Sequence, residues 1–546
     1  MGTPALWTTF WSILAATAWL LPNHTLPWTS FHSEAWMAIL ICLLLPFAVV
    51  MCPRRFTLDH FSLLIALAAT IPAVQYALGK IPNFGHAWIN SLYVIGFLSA
   101  VLVGRFWEAS RPRELIDMLC LAFGAASLLS VLLQAYQWFE LDGLGIWLAD
   151  SDSARPSGNL GQPNHLATLL LWGLIATFWA TLRRQIGTLT AVVTALILLF
   201  GLALTNSRTA WIAVGLIILS TWWWRALWIE RKTPWVVSAL GLYFAACVAA
   251  VSLLAPNALN RIPGLSNASP DLRLSAWSLL IDAILQSPLT GYGWNQTATA
   301  HLNASLQHSA LHVTFPYAHN IVLDLLVWCG IPVGIILIFG LLKWLWNWFR
   351  SIQDPLGAVT FLFLLAFVNH SMLEYPFSYA YFLLPAGLLI GTAHHQSRGE
   401  ASGLSVGRFS FFAVSILSIG MLAITVTDYL RVEKSYTILR MEWAGFFLEE
   451  NPQPPQTRAL NQLQNAVTAA RVVPRAQMSD VELQDLRTAV LQMHKPIYFR
   501  KFAQALTLNG RPADGRAWLE RMCSVETERN CKKAMDEINQ ASPADR

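Results

Sequence analysis

The stretch "TFPYAHNIVLDLLVWCGIPVGIILIFGLL" (residues 314–342) joins two kinds of sequence. An aromatic, proline-containing turn ends in the pair His319-Asn320. An apolar run follows that, at about 1.5 Å per residue, is long enough to cross roughly 30 Å of hydrocarbon. Similar runs of about 16–23 residues recur near 5–21, 35–51, 60–78, 87–104, 115–133, 165–182, 186–204, 209–224, 235–255, 320–342, 355–369, 378–393 and 409–427. They predict an all-α, polytopic membrane protein with about 12–13 transmembrane helices, the 355–369 run being the shortest. Composition agrees: with 546 residues, 55% of them hydrophobic, 12% charged, 25 tryptophans and a mean hydropathy of +0.47, the chain is far too apolar for a soluble protein of this size.

The basic residues set an orientation. With a cytoplasmic N-terminus, the inside loops hold Arg54, Arg55, Arg105, Arg111, Arg113, Arg183, Arg184, Arg225, Arg231, Lys232, Lys343, Arg350, Arg398 and Arg408, whereas the short outside loops hold Lys80, Arg155 and Arg208. The first span lacks a basic leader and reads as a retained helix rather than a cleaved signal peptide. A net charge of +5, partly from these anchors, gives no argument for nucleic acid. Five cysteines (Cys42, Cys52, Cys120, Cys247, Cys329) lie in or beside apolar runs as small hydrophobes. Cys523 and Cys531 lie in the tail, which the odd span count places outside, where an oxidising compartment allows a disulfide.

Three regions follow: N-terminal transmembrane helices (1–150), a membrane core (151–427) that includes an outside loop at 256–319, and a charged C-terminal domain (428–546). The tail shows helical spacing in "ALNQLQNAVTAARVV" and a helix–turn–helix pattern in "KFAQALTLNGRPADGRAWLERM", broken at Asn509-Gly510-Arg511-Pro512. In the loop, Ser269 is placed at an N-cap, Pro270 at the first helical position and Asp271 in the first turn. Leu274, Trp277, Leu280, Ile281 and Ile284 form one apolar stripe, as expected of a helix lying along the membrane surface and holding Arg273 near the headgroups.

On this topology the unusual polar residues collect at the outer face: Gln162, Asn164 and His165; Asn206, Ser207 and Arg208; Arg273; His319 and Asn320; His370, Glu374 and Tyr375. Membrane-embedded charge costs roughly 2.5–3.5 kcal/mol on insertion scales, so such groups are functional candidates; the alternative for each is capping in the headgroup zone. Arg208 follows Ser207, a good N-cap, and a guanidinium beside free helix N–H groups suits a phosphate, with snorkelling as the alternative. Arg273 is either solvated or a second fork on the same phosphates. His319 is placed at the first turn of its helix, where the dipole's positive end repels a second positive charge and an uncharged imidazole can act as a general base. Asn320 stands beside it. His370 and Glu374, four apart, make either a second acid–base pair or a headgroup-level hydrogen bond. His301, His308, His312 and His319 share one loop but lack a carboxylate or cysteine to complete a ligand set, so no metal is expected.

With these residues in view, the chain resembles bacterial protein O-oligosaccharyltransferases of the PglL type, within the O-antigen ligase/Wzy superfamily. The matching stretches are "RPSGNLGQPNHLATLLL" (155–171), "LTNSRTAWIAV" (204–214), "RLSAWSLLIDAILQSPLTGYGWN" (273–295), "YAHNIVLDLLVWCGIPVG" (317–334) and "NHSMLEYPFSYAYFLLP" (369–385). The likeness is strong over roughly 150–400 and continues elsewhere by layout. It implies transfer of a preassembled glycan from undecaprenyl pyrophosphate to a hydroxyl, at the periplasmic face of the bacterial inner membrane and without cofactor. His319 is then the expected base, Arg208 and Arg273 hold the pyrophosphate, and Gln162 and Tyr375 lie near the reacting groups, with Asn164, His165, Asn320, His370 and Glu374 in support. The acceptor is a serine or threonine of a periplasmic protein such as a pilin, or else lipid A core. Many relatives carry an acid two positions before the glycine matched by Gly330; here Trp328 stands there, and Asp324 lies one turn earlier. Rival readings are an O-antigen ligase, a polymerase and, from another class, a lipid-linked-sugar transporter, which should show paired broken helices and midplane charge.

Overall fold

The computed structural model describes residues 3–149, 155–254, 270–396, 403–450 and 452–541. Helices cover all thirteen apolar runs. Among the described residues eight are long and apolar enough to cross a membrane, whereas Thr188–Leu204 and Pro355–Ser371, at 17 residues, are shorter apolar helices. The remaining apolar runs lie in helices that also stop short, among them Thr3–Thr17, Arg208–Trp223 and Ala380–Gln396, whereas the 60–78 run, broken between His60–Ala68 and Ile71–Ala77, still counts among the eight. The protein is an all-α, multi-pass membrane protein. Among the described residues the strands form one two-stranded antiparallel ribbon, Arg55–Asp59 with Gly403–Gly407, which the sequence pattern did not announce.

Contacts divide the chain into two compact units, Met1–Ala66 with Ile95–Asn267 and Gly340–Ile419, and Leu67–Val94 with Ala268–Phe339 and Gly420–Arg546. In the first, Phe123, Trp172, Phe363 and Phe382 pack as a buried aromatic core, with ring centroids 4.5–5.5 Å apart. Thr233–Leu254 does the opposite. Only 11% of its apolar window is buried, and Trp235, Leu242 and Leu253 are exposed, so its side chains need hydrocarbon as their solvent.

In the second unit five short helices, Asn461–Arg471, Asp480–Met493, Pro496–Leu508, Pro512–Val525 and Glu528–Ala541, enclose a core that includes Val467, Leu486, Phe499 and Leu519. The helical pair expected around Asn509-Gly510 is present, its turn made by Gly510 at φ +77°. Cys523 and Cys531 form a disulfide between the last two helices. This tail is not an appendage: Leu302, from the segment leading to His319, sits in the same core, Ser524 Oγ donates to Ser305 Oγ (2.6 Å) and Thr314 Oγ1 donates to the Val525 carbonyl (3.2 Å). The loop that leads to His319 is thus braced by the C-terminal helices.

The helix after His319, Ile321–Ser351, is broken at Gly330 (φ +74°, ψ 174°). The break is filled from outside: the N–H groups of Tyr292 and Gly293 donate to the Val327 and Trp328 carbonyls (2.8 and 3.1 Å), and the Ile331 N–H donates to the Pro288 carbonyl (2.7 Å). A Cβ on Gly330 would stand 2.6–2.8 Å from backbone atoms of Leu289 and Pro288, so only glycine admits both the dihedral and the approach.

Candidate functional site

In the first unit Gln162 is the extended residue before the helix Pro163–Leu182, with Pro163 at its first position. Gln162 Nε2 donates to the Tyr375 hydroxyl (3.4 Å), and Asn164 Nδ2 donates to Glu374 Oε1 (3.0 Å). Arg155, which sequence reasoning had counted only as an outside charge, donates from Nη2 to Asn164 Oδ1 (3.3 Å) and from Nε to the Thr205 carbonyl (2.8 Å). That carbonyl closes the turn before Arg208. On the other side, Asn369 Nδ2 donates to the Thr209 carbonyl (2.9 Å). Ser207 caps the helix Arg208–Trp223 as expected, its hydroxyl accepting from the Ala210 N–H (3.3 Å). Arg208 itself is exposed, and its guanidinium has no hydrogen-bond or ion-pair partner among the described residues. The structure thus gathers Gln162, Asn164, Glu374, Tyr375 and the Arg208 turn into one hydrogen-bonded cluster. Burial raises the Tyr375 phenol above its ordinary range, so it stays an O–H donor near neutrality.

His165 and His370 lie deeper, both fully buried with ring centroids 5.6 Å apart. His165 Nδ1 pairs with the Tyr381 hydroxyl (3.2 Å) and His370 Nδ1 with Thr168 Oγ1 (2.7 Å). The His370–Thr168 bond ties two helices together, and the Glu374–Asn164 bond ties the turn after Ser371 to the helix Pro163–Leu182.

In the second unit His319 is half-buried, and it precedes the helix rather than occupying its first turn. Asn320 is the cap, its Oδ1 accepting from the Val322 and Leu323 N–H groups (3.0 and 3.2 Å). The expected first-turn position is therefore corrected by one cap residue. His319 adopts φ +54°, a left-handed conformation that is costly for a residue with a side chain. The residue before it is held at both of its peptide groups: the Ala318 N–H donates to Asp324 Oδ1 (2.9 Å), and Trp277 Nε1 donates to the Ala318 carbonyl (2.7 Å).

Trp277 comes from Pro270–Gln286, the helix that carries a half-buried Arg273. The single stripe expected there is not found. Ala276, Leu279, Leu280, Ala283 and Ile284 are buried, while Leu274 and Ile281 are exposed, because the small alanines let the helix pack closely along a face that a count of large apolar residues overlooks. Ser269 and the Asp271 side chain lie outside the described residues.

The other loop histidines have separate partners. His301 Nδ1 accepts from the Phe315 N–H (3.2 Å), and burial holds its pKa down to about 4; His308 pairs with Asp282 (2.9 Å); His312 Nδ1 faces the Glu526 carbonyl (3.1 Å). Among the described residues no group of three or more His, Cys, Asp or Glu side chains is arranged to hold a metal ion.

Comparison with known proteins bears on the same segments. The family described as O-antigen ligase matches residues 193–339, protein glycosylation ligase matches 156–179, and the C-terminal part of virulence-factor membrane-bound polymerases matches 358–525. A general O-oligosaccharyltransferase of Acinetobacter baylyi is 29% identical over 517 residues, which span 91% of this chain and 88% of that protein. The chain carries segments similar to O-antigen ligases and protein glycosylation ligases, and it is a glycosyltransferase. A ComP-specific O-oligosaccharyltransferase of the same bacterium is 27% identical over 392 residues, 70% of each chain. In this glycosyltransferase the protein glycosylation ligase match begins beside Arg155 and contains Gln162, Asn164 and His165, while the O-antigen ligase match contains Arg208, Arg273, His319 and Asn320. Arg155 opens the first of the quoted motifs, which was the available signal for its role. Trp277 lies inside the quoted 273–295 motif but was read only as part of an apolar stripe, because nothing local marks a side chain that serves a distant backbone group.

Proposed function

We propose that this glycosyltransferase is a protein O-oligosaccharyltransferase of the bacterial inner membrane. It moves a preassembled glycan en bloc from undecaprenyl pyrophosphate to serine or threonine hydroxyls of periplasmic proteins such as pilins. The observation that carries this reading is the likeness to a general O-oligosaccharyltransferase along 91% of the chain. The basic-residue asymmetry and the Cys523–Cys531 disulfide support a periplasmic site, since disulfides persist in oxidising compartments.

In this reaction the His319 imidazole takes the proton of the acceptor hydroxyl as its oxygen attacks the anomeric carbon. The bond from that carbon to the pyrophosphate oxygen breaks, its electron pair leaves with undecaprenyl pyrophosphate, and the anomeric configuration inverts. Arg208 and Arg273 hold the pyrophosphate and offset the charge that grows on the leaving oxygen, a task two guanidinium forks perform without metal or cofactor. Arg208 suits it because its fork is exposed and uncommitted among the described residues, beside a capped helix N-terminus. Gln162 and Tyr375, already hydrogen-bonded to each other, supply an amide and a phenol near the sugar.

The test is transfer by purified protein given lipid-linked oligosaccharide and a candidate acceptor without any ion gradient. Wild type forms glycoprotein and His319→Ala, assembled normally in detergent, forms none; product from His319→Ala at the wild-type rate would remove the base assignment. The O-antigen ligase match favours lipid A core as the second acceptor. Mass spectrometry of periplasmic proteins and lipopolysaccharide, from cells with and without the chain, separates the two.

A further inference from the structure

His319 is held in a left-handed conformation by contacts that none of the assigned roles uses. Asp324 is fully buried one turn into the following helix, and its Oδ1 accepts two hydrogen bonds: from the Ala318 N–H (2.9 Å) and from Thr297 Oγ1 (2.7 Å). Thr297, also fully buried, accepts in turn from Trp328 Nε1 (2.8 Å). Asp324 Oδ2 has no hydrogen-bond partner among the described residues. Burying a carboxyl group beneath a helix mouth is costly, and a side chain that only packed would be apolar. The residues concerned come from three segments, the helix Thr297–Ala304, the turn at Ala318 and the helix from Ile321, so the network locks the turn to two separate helices.

We propose that Trp328, Thr297 and Asp324 form a positioning relay for His319. The indole orients the threonine hydroxyl, the hydroxyl aims the carboxyl group, and the carboxyl group pins the N–H of Ala318, the residue immediately before the base. Trp277, bonded to the carbonyl of the same residue, completes the clamp. The carboxyl group that serves the turn comes from Asp324, and Trp328 supports it through Thr297. None of the relay side chains needs to touch substrate. Their effect is to keep a strained backbone in one well, so that the imidazole meets the acceptor hydroxyl in a single geometry.

This inference rests on the reading of His319 as the base, and the experiment separates the two. Kinetics of wild type, Asp324→Ala, Thr297→Val, Thr297→Ser, Trp328→Phe and His319→Ala are measured with lipid-linked oligosaccharide, alongside hydrogen exchange of the peptide spanning Ala318. Asp324→Ala and Thr297→Val should lower kcat about tenfold or more with the donor KM within about twofold, the signature of lost transition-state geometry. Trp328→Phe should lower kcat about threefold, and Thr297→Ser, which keeps the hydroxyl, should restore most of the loss. The Ala318 amide should exchange faster in the impaired variants while tail helices stay protected. If Asp324→Ala and Thr297→Val keep wild-type kcat while His319→Ala is inactive, the relay is overturned and the base stands. If Thr297→Val unfolds as a whole or only raises the donor KM, the network is structural and the inference fails. Transfer by His319→Ala at the wild-type rate removes the base and the relay with it.

Discussion

Gln162, Asn164, Glu374 and Tyr375 stand at the ends of regular helices, whereas His319 stands on backbone that no regular element accounts for. In the first region side chains bond mainly to side chains: Gln162 to Tyr375 and Asn164 to Glu374, with Arg155 joining the cluster to the turn before Arg208. Around His319 they bond to backbone: Asp324 and Trp277 grip Ala318 at its N–H and its carbonyl, and Asn320 caps the helix, while the backbone N–H groups of Tyr292 and Gly293 fill the break at Gly330. Helix geometry positions the first set almost for free, since a capped helix fixes where its first residues project. A single left-handed residue has no such support and must be over-determined by its neighbours.

The contrast can be broken most forcefully at Gly330. Adding a Cβ there sets a left-handed dihedral against backbone atoms 2.6–2.8 Å away. Gly330→Ala should cost about 3 kcal/mol or more, through backbone strain and a clash that cannot relax, and should abolish or sharply reduce the folded fraction on size exclusion. A fully folded Gly330→Ala protein would mean that the break is incidental. Next comes Arg208→Lys, which keeps the charge but loses the planar two-point contact; turnover should fall about tenfold with folding intact, and unchanged kinetics would argue for snorkelling instead.

Acid should act on the second region by another route. His301 and His494 are both held by burial to a pKa of about 4, from an ordinary 6.5. Between those values the unfolded chain binds protons that the folded chain refuses. Stability is therefore complete above about 6.5, is lost as pH falls toward about 4, and changes no further from these groups below it. Thermal melts in detergent across that window should show the loss, and His301→Gln with His494→Gln should flatten it. The smallest effect belongs to Ser207→Ala, where loss of one cap hydrogen bond should cost about 1 kcal/mol, read as a small drop in melting temperature with the rest of the bundle unchanged.

Much of the first region could be read from residues alone. Each apolar run marks a helix, and Ser207 before Arg208 marks a cap that the structure keeps. The named polar residues at helix mouths include both members of the Gln162–Tyr375 pair. The helical pair around Gly510 was also legible, because turn residues act locally, whereas the sequence allowed a Cys523–Cys531 disulfide without fixing it. What escaped was longer in range. Gly330 reads as one more small residue in an apolar run until the 288–293 turn is seen lying against it. Thr297 looks like any loop threonine until Asp324 is found 2.7 Å away. The apolar stripe on Pro270–Gln286 was misread because alanines carry little hydrophobic signal yet permit the closest packing.

Hydrophobicity, charge sign and capping chemistry belong to single residues and their near neighbours, so the sequence by itself determined that this chain spans a membrane as helices and which polar groups stand at their ends. Which backbone group each buried polar side chain serves was decided only by tertiary structure. A lone carboxyl group or indole N–H under a helix mouth must find some partner, and that partner can come from a distant part of the chain.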